Sequence, residues 1–357
     1  MPKKKRPCLL FHQSSIQGIF HFVLKIPKKG LFLIVSNDSI MNPPYEISPG
    51  ILRSIRSISE KIGEVNANHL SKQSPQLRKQ NRIKTIHSSL QIEGNTLTEE
   101  QITALLDNKR VVGPPKDVTE VLNAIQVYEK LNSYDCLSEK SFLSAHRQLM
   151  TGLISEPGKY RKQGVGIVKG KKLEHLAPPH KNVPFLMKDL FNYLKRSNEL
   201  TLIKSCVFHY EMVYIHPFLD GNGRMGRLWQ TLILRSEYPI FEFLPFETLI
   251  SKTQKEYYKV LSLCDKLGNS TLFIEYMLGV IDRSLEGLLN YNHRILKDID
   301  RLEHFITLGM KSFTRKDYMN VYKDLSSATA SRDLKKGIEL QMFKSTGQKN
   351  KTRYRLK

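Results

Sequence analysis

Residues 216–227 bring together the side chains best able to do chemistry: His216-Pro217-Phe218-Leu219-Asp220-Gly221-Asn222-Gly223-Arg224-Met225-Gly226-Arg227. Histidine suits general-base work near neutral pH, which gives His216 a role. Asp220 offers the hard oxygen ligand that Mg²⁺ prefers. Pro217 disfavours helical geometry at His216, so a helix ends near Ile215 and a short loop carries His216 and Asp220. Gly221 and Gly223 let the backbone come close to a ligand. A new helix from about Asn222 turns its free N–H groups and positive dipole end toward that loop, which suits phosphate. Arg224 and Arg227 are three residues apart, so both can face one polyanion. A base, a metal ligand, a phosphate cradle and two cationic clamps describe phosphate-ester chemistry on a nucleotide.

The elements that must position this loop read as helices almost throughout. Ile51, Ile55, Ile58, Ile62 and Val65 form one apolar stripe. Residues 73–91 continue as a basic helix that Gly94-Asn95 stops. Thr98-Glu99-Glu100-Gln101 is a capping-box pattern opening the next helix. Further helices are expected over 118–131, 138–150, 183–193, 200–214, 222–235, 251–266 and 270–308. Residues 157–176 differ: glycines among Tyr160, Val165, Ile167 and Val168, then Leu173, predict a β-hairpin that Pro178-Pro179 ends.

The stretch 216–227 matches the pattern HxFx(D/E)GNGRxxR at every defined position, and by it the chain resembles Fic-domain proteins. The resemblance covers about residues 41–290. It implies a mainly α fold, a Fic-type helical bundle with a β-hairpin flap. It also implies Mg²⁺-dependent transfer of AMP from ATP to a Ser, Thr or Tyr hydroxyl of a protein. By that likeness His216 deprotonates the target hydroxyl and Asp220 holds Mg²⁺. Gly221, Asn222 and Gly223 cradle the α- and β-phosphates, and Arg224 and Arg227 grip the β- and γ-phosphates. Phe218 anchors the loop in the core.

Upstream, Ser89-Leu90-Gln91-Ile92-Glu93-Gly94 resembles the family's inhibitory motif (S/T)xxxE(G/N). The likeness implies that Glu93 pairs with Arg227 and displaces the γ-phosphate, since one buried arginine cannot serve both. Ile167, Val168, Lys169 and Gly170 are similar to the flap residues over the nucleotide, which pair through their backbone with the target. Tyr257 and Tyr258 resemble a nucleotide-pocket pair, and Asp265 sits where some members carry asparagine. Neighbouring reactions are AMP removal, with Glu93 placing a water, and transfer from another nucleotide-derived donor. The intact Gly221–Arg224 segment favours AMP transfer. A homodimer is a family habit.

Plainer roles compete for several residues. His209 shares a helix face with His216, but two nitrogens without a third ligand argue for packing over metal. Gly164-x-Gly166-x-x-x-Gly170-Lys171 fits neither common nucleotide-loop pattern, so these are turn glycines. Tyr257 can equally serve the core.

The chain has 357 residues, a net charge of +22, 40% hydrophobic and 25% charged residues. Those values exclude a disordered, collagen-like or polytopic membrane chain. No stretch reaches the ~18 apolar residues of a membrane span. Four widely separated cysteines, with no CxxC pair, point to a reducing cytoplasm. A basic stretch, Lys3-Lys4-Lys5-Arg6, opens residues 1–40. We expect Met41 to be the natural start and residues 1–40 to be an upstream extension, disordered or non-native. Residues 41–110 then form an N-terminal helical region containing the 89–94 motif, and 111–290 the Fic catalytic domain. Residues 291–357 form a last domain. Its short helices 314–322 and 327–336, followed by a Gly347 turn and the alternating strand 352–356, suggest a winged helix-turn-helix. Residues 295–357 hold 15 Lys/Arg against 7 Asp/Glu. A DNA-binding regulator is therefore the alternative function, acting through residues 295–357.

Overall fold

The computed structural model describes residues 43–67, 75–169, 172–294, 298–310, 312–322, 325–347 and 352–356. The expected 1–40 extension, and Gly170 of the flap, lie outside them. The described residues are mainly helical, as the apolar periodicity predicts.

Helix α1 (Pro49–Ala67) buries Ile51, Ile58, Ile62 and Val65, the stripe predicted from spacing. It lies along α11 (Thr271–Arg294). Helix α2 (Pro75–Ile92) ends in a glycine cap: Gly94 takes φ 94°, and the Asn95 N–H donates back to the Leu90 carbonyl at 3.1 Å. Only glycine adopts that backbone without a Cβ penalty, so Gly94 sets where the chain leaves the helix. Helix α3 (Glu99–Leu106) opens on the complete Thr98–Gln101 capping box. Helices α4 (Pro115–Glu129) and α5 (Glu139–Met150) follow and pack together.

The predicted hairpin is shorter than 157–176. Strands β1 (Gly166–Lys169) and β2 (Lys172–Leu176) pair antiparallel, with an irregularity between Ile167 and Val168. Residues 157–165 do not join the ladder. Gly158 has φ 78° and lies where a Cβ would collide with Arg147 and the Leu143 carbonyl, and the Arg161 side chain bonds the Gln163 carbonyl at 2.8 Å. A segment folded onto its own arginine cannot extend into a strand.

Helix α6 (Val183–Arg196) packs on α7 (Thr201–Ile215), which pairs with α8 (Asn222–Glu237). These last two are buried on nearly every side, so the loop between them is framed by core. Trp229, Phe142, Phe191 and Phe208 pack edge to face around them. The single helix predicted over 251–266 is two: α9 (Glu247–Lys252) and α10 (Gln254–Leu267). The Thr253 N–H reaches both the Leu249 and Ile250 carbonyls, a tightened last turn that ends α9. Of the helix expected over 270–308, the structure describes α11 (Thr271–Arg294) and α12 (Asp298–Thr307), with 295–297 outside the described residues.

A second apolar cluster is built from Leu302, Phe305, Phe313, Tyr318, Ala330, Leu334 and Phe343. Its elements run α12, β3 (Ser312–Phe313), α13 (Arg315–Val321), α14 (Ser327–Glu339), β4 (Phe343–Thr346) and β5 (Arg353–Leu356). The sheet order is β3-β5-β4, antiparallel throughout. The two short helices and the closing hairpin fall where the sequence places them. Among the described residues no helix is long and apolar enough to cross a membrane.

Candidate active site

The 216–227 loop joins the end of α7 to the start of α8. His216 ends α7 with φ 51°, a left-handed conformation unusual outside glycine. Such a residue persists only where its surroundings impose it, at a cost of about 1–3 kcal/mol. Arg161 imposes it. The Arg161 Nε donates to the His216 carbonyl at 2.8 Å, its Nη2 to Pro178 and Ile215 carbonyls, and its backbone N–H to the Pro217 carbonyl at 2.9 Å. Arg161 is 3% exposed, so this clamp is dry. The His216 Nδ1 lies 3.3 Å from the Val213 carbonyl. A carbonyl only accepts, so this contact calls for the proton on Nδ1 and leaves Nε2 as the basic nitrogen.

Phe218 is fully buried, as expected of an anchor. It stacks on His146 at 3.5 Å and on Phe142 at 5.4 Å between centroids. The Asn222 side chain closes the loop: its Oδ1 accepts the Phe218 N–H at 2.9 Å and its Nδ2 donates to the Phe218 carbonyl at 3.0 Å. The Asn222 amide thus engages the Phe218 backbone through both its oxygen and its nitrogen, and the Asn222 backbone N–H lies in the first turn of α8, where it can face an anion. Gly221 takes φ 85° at the N-cap, and no side chain caps α8. The first-turn amides of α8 therefore lack helical partners and suit an anion.

Arg224 and Arg227 do not share one anion here. Arg224 is 4% exposed and divides between Glu120 (Nη1–Oε1, 3.1 Å) and Asp220 (Nη2–Oδ1, 3.0 Å). Arg227 has no exposure and bonds Ser89 and Glu93: Nε to the Ser89 hydroxyl at 3.1 Å, Nη2 to the Ser89 carbonyl at 2.8 Å and to Glu93 Oε1 at 2.8 Å. The expected Glu93–Arg227 pair is thus present, and Ser89 adds two bonds that the sequence does not indicate. A Cβ on Gly223 would collide with Glu93 Oε1 and stand 3.1 Å from Arg227 Nη1. That Nη1 is buried without a hydrogen-bond partner. An orphaned guanidinium N–H beside a glycine and a row of free amides is an anion site only partly filled by Glu93.

Glu247, near Arg227, is held by Thr231, and burial pushes its carboxyl up to about 8. It is therefore mostly neutral at pH 7, which leaves Glu93 to balance Arg227. Burial lowers His209 to about 3, and it bonds Gln230 at 2.7 Å and Tyr257 at 3.0 Å. Packing against Gly226 completes the plain structural role expected of His209. Tyr257 is 1% exposed with its hydroxyl on His209, whereas Tyr258 is 41% exposed beside the Ile92 carbonyl. Asp265 accepts from the Tyr210 hydroxyl at 3.0 Å. Ile167, Val168 and Lys169 are placed by the β1–β2 ladder.

Asp220 Oδ1 accepts the Gly221 N–H at 2.6 Å as well as Arg224, and the side chain is 47% exposed. Among the described residues no cluster of three or more His, Cys, Asp or Glu could hold a metal. Asp220 is a half-exposed hard oxygen donor of the type Mg²⁺ accepts alongside phosphate and water.

Comparison with known proteins gives the chain's family. The Fic/DOC family matches residues 136–234. A crystal structure of a Fic family protein from Desulfovibrio desulfuricans is 40% identical, covering 89% of this chain and 98% of that one, with a TM-score of 0.69. This chain belongs to the Fic family. It is also 28% identical over 247 residues to the protein adenylyltransferase Fic of Drosophila mojavensis. The chain spans about half the length of the curated relatives it matches, 47% in that case. Fic-1 of C. elegans shares the fold, with 23% identity over 68% of this chain and 73% of that one, and a TM-score of 0.57.

Three residues around this site escape sequence reasoning. His146 accepts the Gly158 N–H on Nδ1 and donates from Nε2 to the Asp220 carbonyl at 3.0 Å; burial holds it near 4, so it stays neutral. Arg161 clamps His216, and Glu120 holds Arg224. None carries a local signal: each acts on a loop 55 or more residues away.

Glu247 supplies a test of the buried electrostatics. Its folded pKa is raised, so the stability it contributes is present below the ordinary value of 4.5 and is lost as pH rises through about 8. Glu247→Gln cannot ionise. Its melting temperature should therefore gain on the wild type from pH 5 to about pH 8 and level off above that. A difference that does not change with pH would show the carboxyl ionised in both states.

Proposed function

We propose that this Fic protein transfers AMP from ATP to a hydroxyl of a protein and that Glu93 restrains it. The observation that carries this is the Glu93–Arg227 pair, set against an uncapped helix N-terminus five residues after a clamped His216. In the transfer, His216 Nε2 takes the proton of the target Ser, Thr or Tyr hydroxyl. The hydroxyl oxygen forms a bond to the α-phosphorus as the bond from that phosphorus to its β-bridging oxygen breaks. Pyrophosphate leaves with the electron pair. The α8 amides and Arg224 orient the phosphates, and Asp220 would hold Mg²⁺, which offsets phosphate charge. Glu93 restrains the reaction because its carboxylate occupies the Arg227 face that a terminal phosphate would use. The named relatives, protein adenylyltransferases, support the same chemistry.

Labelling with ATP radioactive at the α-phosphate tests both halves. Glu93→Gly should raise self- or target labelling well above the wild type, on the order of tenfold or more for a lost competing ion pair. Glu93→Gly with His216→Ala should reduce it to background. Equal labelling by all three proteins would refute the assignment.

A second reading concerns residues 298–356. Their order of helix, strand, two helices and hairpin supports a winged helix-turn-helix that binds duplex DNA. Base outweighs acid at the surface there, with Glu339 the one exposed acid on α13, α14 and the hairpin among the described residues. Helix α12 carries Asp298, Asp300 and Glu303, whereas Arg315, Lys316, Arg332, Lys335, Lys344, Arg353 and Arg355 are exposed on α13, α14 and the hairpin. Asp333 and Asp317 are spent internally, on Arg301 and on the Thr314 cap. Full-length protein should bind a duplex of mixed sequence with affinity that falls steeply with salt, and Arg332→Glu with Lys335→Glu should flatten that slope. Binding unchanged by these substitutions would place it elsewhere.

A further inference from the structure

Asn95 directly follows the Glu93–Gly94 turn and is 7% exposed. Its Nδ2 donates to Glu120 Oε2 at 2.9 Å and to the Asp117 carbonyl at 3.1 Å, and its Oδ1 accepts the Leu97 N–H at 3.1 Å. Glu120 is itself 5% exposed and turns its other oxygen to Arg224 Nη1 at 3.1 Å. Arg224 passes Nη2 to Asp220 Oδ1 at 3.0 Å. One unbroken chain of hydrogen bonds therefore runs from the inhibitory turn to the candidate cation ligand. It bypasses both Glu93 and Arg227.

We propose that Glu120 is a positioning residue for nucleotide binding, holding Arg224 off full pairing with Asp220, and that Asn95 fixes Glu120 in that task. This rests on the adenylyltransferase reading above. Arg224 is nearly buried and needs a counter-ion. Two carboxylates compete for it, Glu120 from α4 and Asp220 from its own loop. With Glu120 neutral, Asp220 is the carboxylate that remains, and a bidentate Arg224–Asp220 pair would withdraw both groups from phosphate and cation. Glu120 in turn depends on the Asn95 donor. Lys116 Nζ lies 3.8 Å from Glu120 Oε1 and is an exposed cation to which a loosened carboxylate can turn. The segment that ends α2 thus touches both motif arginines: Arg227 through Glu93, and Arg224 through Asn95 and Glu120.

The test uses the full chain carrying Glu93→Gly, so that the first contact is already removed. Asn95→Ala, Glu120→Gln and the pair together are added to it. ATP binding is measured by calorimetry with Mg²⁺, and KM and kcat by labelling. Glu120→Gln should weaken ATP binding and raise KM about tenfold, the scale of one charge-assisted hydrogen bond, with kcat held within about threefold. Asn95→Ala should act in the same direction by about threefold, and the pair should be no worse than Glu120→Gln alone, because Asn95 acts through Glu120. Additive effects would overturn the proposal, as would a Glu120→Gln protein that melts lower yet binds ATP like its parent. Should Glu120→Gln not fold, Asn95→Asp, which sets a carboxylate against Glu120 Oε2, must weaken ATP binding more than Asn95→Ala; equal or tighter binding overturns the proposal. If the Glu93→Gly parent itself neither binds ATP nor labels, the adenylyltransferase reading fails instead.

Discussion

Arg227 is a fully buried cation, and much of the site is arranged around neutralising it. A guanidinium in a dry interior is costly unless it is paired and hydrogen-bonded. Ser89 and Glu93 supply the bonds, which draws the end of α2 against α8. Glu247, pushed toward the neutral form by burial, does not share that work. Gly223 has no Cβ because Glu93 and Arg227 fill the space one would need. The Gly94 cap turns the chain just after Glu93, and Asn95 beyond it bonds Glu120. One ion pair therefore ties the end of α2 to α8 and requires a glycine beside it.

The catalytic loop depends on a second set of constraints, all from distant segments. Arg161 holds His216 in its left-handed conformation, His146 supports the Asp220 carbonyl, and Asn222 closes the loop on Phe218. Neutral, buried histidines and a doubly bonded amide give a rigid frame. Such a frame suits the proposed base and anion cradle, which act together only at fixed separation.

Sequence spacing locates the loop, its two arginines and the Glu93 motif because each is a local pattern with a local cause. Proline and glycine mark the chain ends, and residues three or four apart share a helix face. The Ile51–Val65 stripe, the Thr98 cap and the closing hairpin are legible for the same reason. What spacing misses is non-local. Glu120 lies 104 residues from Arg224, and nothing in Val118-Thr119-Glu120 distinguishes a buried counter-ion from a solvated surface acid. The division of labour between Arg224 and Arg227 is hidden likewise, because helical spacing shows which groups can meet but not which carboxylates reach them first. Thr253 breaks a helix whose pattern runs on, and Arg161 folds a stretch that alternates like a strand.

The exclusion of phosphate from Arg227 by Glu93 can be measured without any chemistry. ATP and ADP differ by the terminal phosphate, so their affinities for wild type and for Glu93→Gly isolate that one group. If the carboxylate and the phosphate compete for Arg227, removing Glu93 should tighten ATP much more than ADP. Equal gains for both nucleotides, or none for either, would contradict the competition and with it the restraint assigned to Glu93.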